Sequence, residues 1–491
     1  MSRLADPKTD FPQWYLDVIA QAGLAEHAIV KGCIIFKPYG YALWEGMQRD
    51  MDVRIKAMGV ENAYFPLLIP ESVMAKEKAH IEGFAPECAV VTHGGGKELA
   101  EKLYIRPTSE TIIYTTFAKW IQSHRDLPLK INQWANIIRW EMRTRPFLRT
   151  LEFLWQEGHT AHATKDEADA MARDALQMYV DFDREFLALP VLQGKKPDHD
   201  KFAGALYTLT TEALARDGKA IQAGTSHNLG QGFSEAYDLS FLDEKGTAQR
   251  PWITSWGAST RLIGTVIVVH GDAKGLRLPP SLAPIQIVIV PIYKTDDEKA
   301  KVLAACDQLK LQLGPELRVK IDARDEKSPG FKFNEWEVKG VPLRMEIGPK
   351  DLEKKAVMLC RRDTGTKESL AFAQCEGFFI QSMLQKIQES LYDQAKQYMD
   401  DHTYETDSYE ELKKWIDGEG GPAHRSPEDG TGGGGFVWAP WDGTLKSANM
   451  IKDKTKATIR MIAEDSSKAK GKKDLVSGEP AKEWALFAKA Y

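Results

Sequence analysis

The stretch that most constrains this chain is residues 137–162, IIRWEMRTRPFLRTLEFLWQEGHTAH. Arg139, Arg143, Arg145 and Arg149 alternate there with Glu141, Glu152 and Glu157, and Trp140, Phe147, Phe153 and Trp155 are interleaved among them. An apolar entry (Ile137, Ile138), a turn at Pro146 and a return run of alternating apolar and charged residues predict a β-hairpin with arginines at its base and tip. The planar fork of arginine suits phosphate and carboxylate groups, and an aromatic face offers a base something to stack on. The pattern predicts a nucleotide pocket that also holds a carboxylated partner. A solvated ion-pair hairpin is the usual fate of such charges, but the four aromatics argue against it.

Composition sets the outer limits. With 491 residues the chain is too long for one core and predicts roughly three domains. Its 43% hydrophobic and 27% charged content is ordinary for a globular protein. It contains no apolar run of about 18 residues to span a membrane. The start, MSRLADPKTDFPQWY, lacks the apolar core of a signal peptide, and the scattered, odd set of five cysteines forms no CxxC pair. These features predict a cytoplasmic protein without disulfides or a cysteine-held zinc. A net charge of −5 argues against wholesale nucleic-acid binding but leaves room for a local basic face. The lysines between Lys446 and Lys473 form a solvated surface on charge grounds alone.

Along the chain, Trp44, Met47, Met51, Ile55 and Met58 recur at helical spacing, Gly59 ends that helix, and residues 63–69 read as a strand punctuated by Pro66. Pro279, Pro280 and Pro284 mark a boundary. After it come the apolar strand IQIVIVPIY (285–293), a helix over 296–313, the strand RVKIDAR and a helix around 334–339. Two more strands and a long helix (373–398) then complete an α/β alternation. Residues 400–435 are glycine-rich and read as a flexible boundary, and 436–491 as a small terminal domain. GTVIVVHGD reads as a strand by propensity. The GGGG run (432–435) has no helix signal after it and is a linker, not a phosphate loop.

The hairpin resembles the second signature motif of class II aminoacyl-tRNA synthetases, in the form found in the prolyl-tRNA synthetase family. IRPTSETIIYTTFAKWIQSHRDLPLKINQW (105–134), IQAGTSHNLGQGFSEAYD (221–238), SWGASTRLIG with VHGD (255–272) and PGFKFNEWEVKGVPLRMEIGPKDLE (329–353) resemble further blocks of that family, in its order. The similarity runs over nearly the whole chain and is closest to the archaeal and eukaryotic-like branch. It implies an α+β class II catalytic domain, an antiparallel sheet with flanking helices, over 1–282. An α/β anticodon-binding domain over 283–400 follows, and then a linker and small α/β C-terminal domain over 401–491. It implies a homodimer formed through the 40–69 region, and a helix, against propensity, after Arg261. The implied activity is formation of prolyl-adenylate from L-proline and Mg²⁺-bound ATP, then transfer of proline to tRNA(Pro). A same-fold enzyme charging another amino acid or a carrier protein is the nearest rival. A non-catalytic tRNA-binding regulator is a second one, and it would be expected to lose Arg139 or Arg261.

Carried over residue by residue, the resemblance assigns catalysis to Arg139, bridging carboxylate and α-phosphate, and to Arg261, on the γ-phosphate. Glu141, Arg149, Phe153, Gln222 and Thr225 join them in the ATP site. Thr108 and Glu110 receive the secondary ammonium of proline. Trp155, Glu157, His159 and His227, with Arg139, form the rest of the proline pocket. Glu337, Arg344 and Lys350 match the anticodon-reading positions, where Arg or Lys donates to guanine O6 and N7 and a carboxylate accepts from its N–H groups. Residues 163–254 read as continuous catalytic-domain elements with no inserted editing domain. Many relatives of this branch hold zinc with four C-terminal cysteines. Here Asp442, Ser447, Asp474 and Ser477 stand in the corresponding segments, so no zinc is expected. Apolar residues such as Phe436, Trp438, Trp441, Ile459, Ile462, Trp484, Leu486 and Phe487 are expected to hold that domain instead. Tyr491 is expected near the active site.

Overall fold

A computed structural model describes residues 3–75, 88–419 and 434–491. The strands Leu129–Ile138 and Glu152–His162 form the expected hairpin, with Ile137 opposite Phe153 and Trp134 opposite Gln156. Outward from that pair run Trp252–Ser259, Ala220–Gly230, Tyr207–Leu214 and Leu192–Lys195, all antiparallel. Glu61–Asn62 adds a short parallel edge. Residues 163–254 hold the helices Lys165–Glu185 and Gly232–Ala236 together with sheet elements.

Alternate residues of these strands serve two cores on opposite faces, because strand side chains alternate. Trp134, Leu154 and Trp256 pack with helices Phe11–Ala22, Pro38–Ala57, Lys165–Glu185 and Arg261–His270. Ile131, Ala161 and Ile253 pack with Glu110–Trp120 and Gly232–Ala236. Phe153, Trp155, Glu157 and His159 share the parity of Ala161, which puts the motif's working residues on this second face. Gly158 turns the other way, where a Cβ would lie 2.2 Å from Trp256, so no larger residue fits.

Arg261–His270 is the helix that the resemblance implies and β-propensity denies. Every residue from Leu262 to His270 is buried, and a helix apolar all round belongs inside a domain. Residues 63–67 depart from the strand expected there. The Gln133 side chain accepts from the Phe65 N–H (2.5 Å), and the Arg106 guanidinium donates to the Phe65 carbonyl (2.7 Å). Side chains thus do what a ladder would have done around Pro66, and pairing resumes at Leu68–Pro70.

The second domain is a five-stranded sheet in the order Val319–Ile321, Ile287–Pro291, Leu343–Ile347, Ala356–Arg361, Lys367–Ala371. The first three strands are parallel and the last two antiparallel. Three strands follow the helix Pro329–Val338, one more than the sequence reading had, because the exposed Lys367–Ala371 edge carries little apolar signal. The closing helix is Gly377–Asp401.

The glycine-rich stretch 420–433 lies outside the described residues. Thr403–Glu405 and Tyr409–Asp417, read from sequence as part of the flexible boundary, are elements of the terminal domain; the strand pairs in parallel with Phe436–Trp441. Of the apolar residues expected to hold this domain, Phe436, Trp441, Ile459, Trp484, Leu486 and Phe487 are buried and Trp438 and Ile462 half-buried. Its sheet is not separate. Ile462 pairs with Lys195, which joins Thr458–Ile462 to the catalytic sheet and makes eleven strands in all. Among the described residues no helix is long and apolar enough to cross a membrane.

Candidate active site

The second face of the catalytic sheet opens into a cavity of about 260 Å³. Thr108, Glu110, Arg139, Phe153, Trp155 and Glu157 line it, together with His159, Gln222, Thr225, His227 and Arg261. Glu141 and Arg149 line an adjoining cavity of about 220 Å³ that shares Arg139, Phe153 and Arg261 with the first. The structure therefore brings together every residue assigned from sequence to ATP and proline.

Each side chain is set by its element. Thr108 and Glu110 sit at the start of Glu110–Trp120, and the Thr108 hydroxyl donates to the Glu110 carboxylate. Glu157 is buried in the strand, where Ser109 Oγ (2.5 Å) and Gln133 Nε2 (2.7 Å) donate to its Oε1. His159 Nε2 lies 3.0 Å from its Oε2, and the Tyr114 hydroxyl lies 3.0 Å from His159 Nδ1. Burial pushes the Glu157 carboxyl up, but His159, Ser109 and Gln133 more than offset that and hold it below the usual range. Burial, with Glu110 and Glu157 nearby, keeps the Tyr114 proton on. Tyr114, His159 and Glu157 thus form one buried chain of contacts. The result is an ionised carboxylate beneath the pocket, rigidly held. His227 Nδ1 lies 2.9 Å from Thr208 Oγ1, and burial, His159 and Arg139 push His227 down to about 3, so it stays neutral. The indole N–H of Trp155 is buried without an acceptor among the described residues.

Arg139 and Arg261 each donate to a backbone carbonyl. Arg139 Nε donates to the Pro107 carbonyl (3.0 Å), with its guanidinium over Phe153 and Trp155 at 5.6 and 5.7 Å. Arg261 Nε donates to the Leu148 carbonyl (3.0 Å). Burial, Arg149 and Arg139 push Arg261 down to about 10. Arg149 lies 3.5 Å from Glu141 at the mouth. The hairpin tip is tied down by the Tyr15 hydroxyl on the Pro146 carbonyl (2.7 Å) and by Phe147 edge-on to Phe36. Tyr491 comes in beside it, its ring 5.4 Å from Arg145 and its hydroxyl donating to Asp217 (2.7 Å).

Lys196, Asp200, Lys201, Phe202 and Thr208 also line the larger cavity, and sequence reasoning passed them over. KKPDHDKF carries the composition of a solvated surface run.

The anticodon candidates are not gathered the same way. Glu337 accepts from Lys274 of the catalytic domain (3.0 Å). Arg344 lies on Glu346 (2.9 Å) and over Phe333 (4.5 Å). Lys350 is exposed on the short helix Pro349–Glu353. VHGD acts between domains: Arg362 holds both oxygens of Asp272, at 2.8 and 2.6 Å.

The four positions that stand where relatives carry zinc cysteines do converge. Asp442 accepts from Ser447 Oγ (2.6 Å), Ser477 Oγ (2.8 Å) and Thr444 N (2.8 Å). The Asp442 N–H donates to Asp474 Oδ2 (3.2 Å), and Asp474 Oδ1 accepts from the Ser477 N–H (2.8 Å). These donors and acceptors satisfy one another and supply two carboxylates and two hydroxyls, not the soft ligands that structural zinc takes, so the set does not fit that metal.

Three family models match the chain: the tRNA synthetase class II core domain (G, H, P, S and T) over residues 91–270, the anticodon binding domain over 286–382, and the prolyl-tRNA synthetase C-terminal domain over 431–491. A protein named proline--tRNA ligase from Roseiflexus sp. (strain RS-1) is 50% identical over 98% of both chains. One from Pelodictyon phaeoclathratiforme is 49% identical over 100% of this chain and 99% of its own. With class II core, anticodon domain and terminal domain matched in order, and identity near one-half over the full length, the chain belongs to the prolyl-tRNA synthetase family of class II aminoacyl-tRNA synthetases.

Proposed function

We propose that this chain activates L-proline with ATP and transfers it to tRNA(Pro), with the thirteen cavity residues in the roles assigned above. The observation that carries the reading is their convergence: phosphate-type cations and an ammonium-type carboxylate line one cavity. A carboxylate oxygen of proline attacks the α-phosphorus of ATP, and the bond to the departing diphosphate breaks. Mg²⁺ arrives with ATP as part of that substrate and leaves with the diphosphate. A terminal ribose hydroxyl of tRNA then attacks the prolyl carbonyl, and AMP departs. Little covalent chemistry falls to the protein; its task is positioning and charge stabilisation.

Arg139 joins the two reacting anions, and Arg261 holds the far phosphate. Phe153 stacks on adenine beside Glu141 and Arg149. Gln222 and Thr225 face the ribose and the metal-bound phosphates. Glu110 and Thr108 take the ammonium. A charged histidine beside that ammonium would repel it; His227, held neutral by burial, does not. Glu157 and His159 fix the wall on which Trp155 meets the ring. Glu337, Arg344 and Lys350 read the anticodon, and the terminal domain stands without zinc on its Asp442 cluster.

We place the enzyme in the cytoplasm as a homodimer. Pro38–Ala57 buries Leu43, Trp44 and Met47 in its own chain, while Tyr41, Val53, Tyr64 and Leu68 of the same region are exposed for a second copy. Proline-dependent ATP–diphosphate exchange and charging of tRNA(Pro) test the reading. Exchange driven equally by another amino acid, or none with proline, would overturn it.

A further inference from the structure

One buried ion cluster joins two domains at the edge of the cavity. Glu212 is fully buried in Tyr207–Leu214, opposite Gln222 in the sheet. Arg460, from the terminal-domain strand Thr458–Ile462, reaches across to it, with Nη2 at 2.9 Å from Oε1 and Nε at 3.2 Å from Oε2. Lys196 lies 3.2 Å from Glu212 Oε1 and 3.2 Å from Asp200. Lys196 is 3% exposed, yet it lines the cavity.

A buried carboxylate needs a cation. Arg460 already engages both oxygens of Glu212 in the strong bidentate geometry. Glu212 therefore carries two cations, Arg460 and Lys196. The other partner of Lys196, Asp200, is half-exposed and screened by water. A buried ammonium on a cavity wall, sharing its buried carboxylate with an arginine, has charge to offer an anion inside. The cluster lies on the Arg261 side: Arg261 feels both Glu212 and Arg460.

The segment that carries Lys196 is also fastened to the terminal domain. Lys195 pairs with Ile462, and the His199 ring sits 5.9 Å from Trp441. The Trp441 indole donates in turn to Ser447 Oγ of the Asp442 cluster (2.9 Å).

We propose that Lys196 is a further phosphate-binding cation for ATP, and that Arg460 is the positioning residue that frees its charge by sharing Glu212. The terminal domain thereby completes the ATP site from a distance. The inference rests on the reading of ATP as substrate of this cavity.

The test is proline-dependent ATP–diphosphate exchange by full-length protein, with ATP and proline varied separately. The variants are Lys196→Met, Arg460→Gln, Arg460→Lys and the double Lys196→Met/Arg460→Gln. Lys196→Met should raise KM for ATP by roughly tenfold or more while KM for proline stays within about twofold. Arg460→Gln should move the same constant by less, Arg460→Lys should restore most of it, and the double variant should be no worse than Lys196→Met alone. An unchanged KM for ATP in Lys196→Met, an equal rise in KM for proline, or multiplied losses in the double variant would overturn the proposal. Melting temperatures identify a variant that fails to fold; should Arg460→Gln do so, Lys196→Met and Arg460→Lys decide. Absence of proline-dependent exchange in the unmutated protein would instead overturn the functional reading itself.

Discussion

Two arginines of the catalytic cavity and three of the anticodon domain are held in different ways. In the cavity, Arg139 and Arg261 donate to the carbonyls of Pro107 and Leu148. In the anticodon domain, Arg324, Arg344 and Arg361 each lie on a carboxylate two residues away: Asp322, Glu346 and Asp363, at 2.7 to 2.9 Å. A carbonyl orients a guanidinium without neutralising it; a carboxylate does both. Burial and the neighbouring Arg149 and Arg139 disfavour the charge on Arg261, and an anionic substrate relieves that repulsion. Those three cations of the anticodon domain stay compensated until something displaces the carboxylate. One arrangement stores charge for chemistry, and the other holds a surface in register.

The largest effect should separate the two classes. Arg139→Ala and Arg261→Ala should each lower proline-dependent exchange about 100- to 1000-fold, the usual loss for one donor at a reacting oxyanion, with the oligomeric state unchanged. Arg361→Ala should leave exchange within about twofold. Exchange within threefold of the unmutated rate for Arg139→Ala or Arg261→Ala would erase the distinction. The next effect is on tRNA. Arg344→Ala should reduce tRNA charging roughly 10- to 100-fold, the range for loss of one base-reading arginine, and spare tRNA-independent exchange. Equal losses in both assays would make Arg344 a structural partner of Glu346 and nothing more.

The same contrast explains what the sequence could reveal. The hairpin was legible because its charge and aromatic alternation has one sensible geometry, and because a residue's parity on a strand fixes its face. The helix Arg261–His270 was not legible from its β-branched residues; burial on every side, a tertiary fact, decides it. Lys196 was hidden because KKPDHDKF looks like solvated surface. Its buried partner Glu212 is shared with Arg460, more than two hundred residues away in sequence. The union of the terminal and catalytic sheets hangs on the pairing of Ile462 with Lys195, which no local pattern encodes. Pairing with neighbouring strands, not propensity, likewise revealed the third strand of the anticodon domain.

Asp442 extends the comparison to an anion held by neutral donors. Burial pushes its carboxyl up, and bonds from Ser447, Thr444 and Ser477 more than compensate, holding it below the usual range. Asp442→Ala leaves those donors without their acceptor and should cost about 1–3 kcal/mol, read as a lower melting temperature or denaturant midpoint. Metal analysis of protein purified without chelator should find no zinc. One tightly held zinc per chain, or an unaltered melting temperature in Asp442→Ala, would contradict the view that hydrogen bonds do here what a metal does in relatives.

The smallest effect is a difference in acid sensitivity between the two domains. Burial pushes His162 down to about 4, and His227 and His270 down to about 3, all in the catalytic domain. Their pKa is lower folded than unfolded, where it is about 6.5. Below that value the unfolded chain takes up protons that the folded chain refuses, so stability falls as pH drops from about 6.5 toward 3. Each such histidine contributes at most about 1.4 kcal/mol per pH unit in that window. Residues 283–400 contain no histidine. The corresponding group there is Asp322, which Arg324 and Trp336 hold down at about 2 against the cost of burial. Its contribution is complete above about pH 4 and is lost only as pH falls further, toward 2. Between pH 7 and 5 the catalytic domain should therefore lose stability while the anticodon domain keeps it. Native-state hydrogen exchange, corrected for the intrinsic rate at each pH, reads the two separately. Opening free energies should drop over Ala220–Gly230 and Arg261–His270 and hold over Ile287–Pro291 and Leu343–Ile347. His270→Asn should shrink the drop, because one of the three refused protons is then absent from both states. Equal drops in both domains would mean that they open as one unit or that other groups set the slope, and the contrast drawn from their charges would fail.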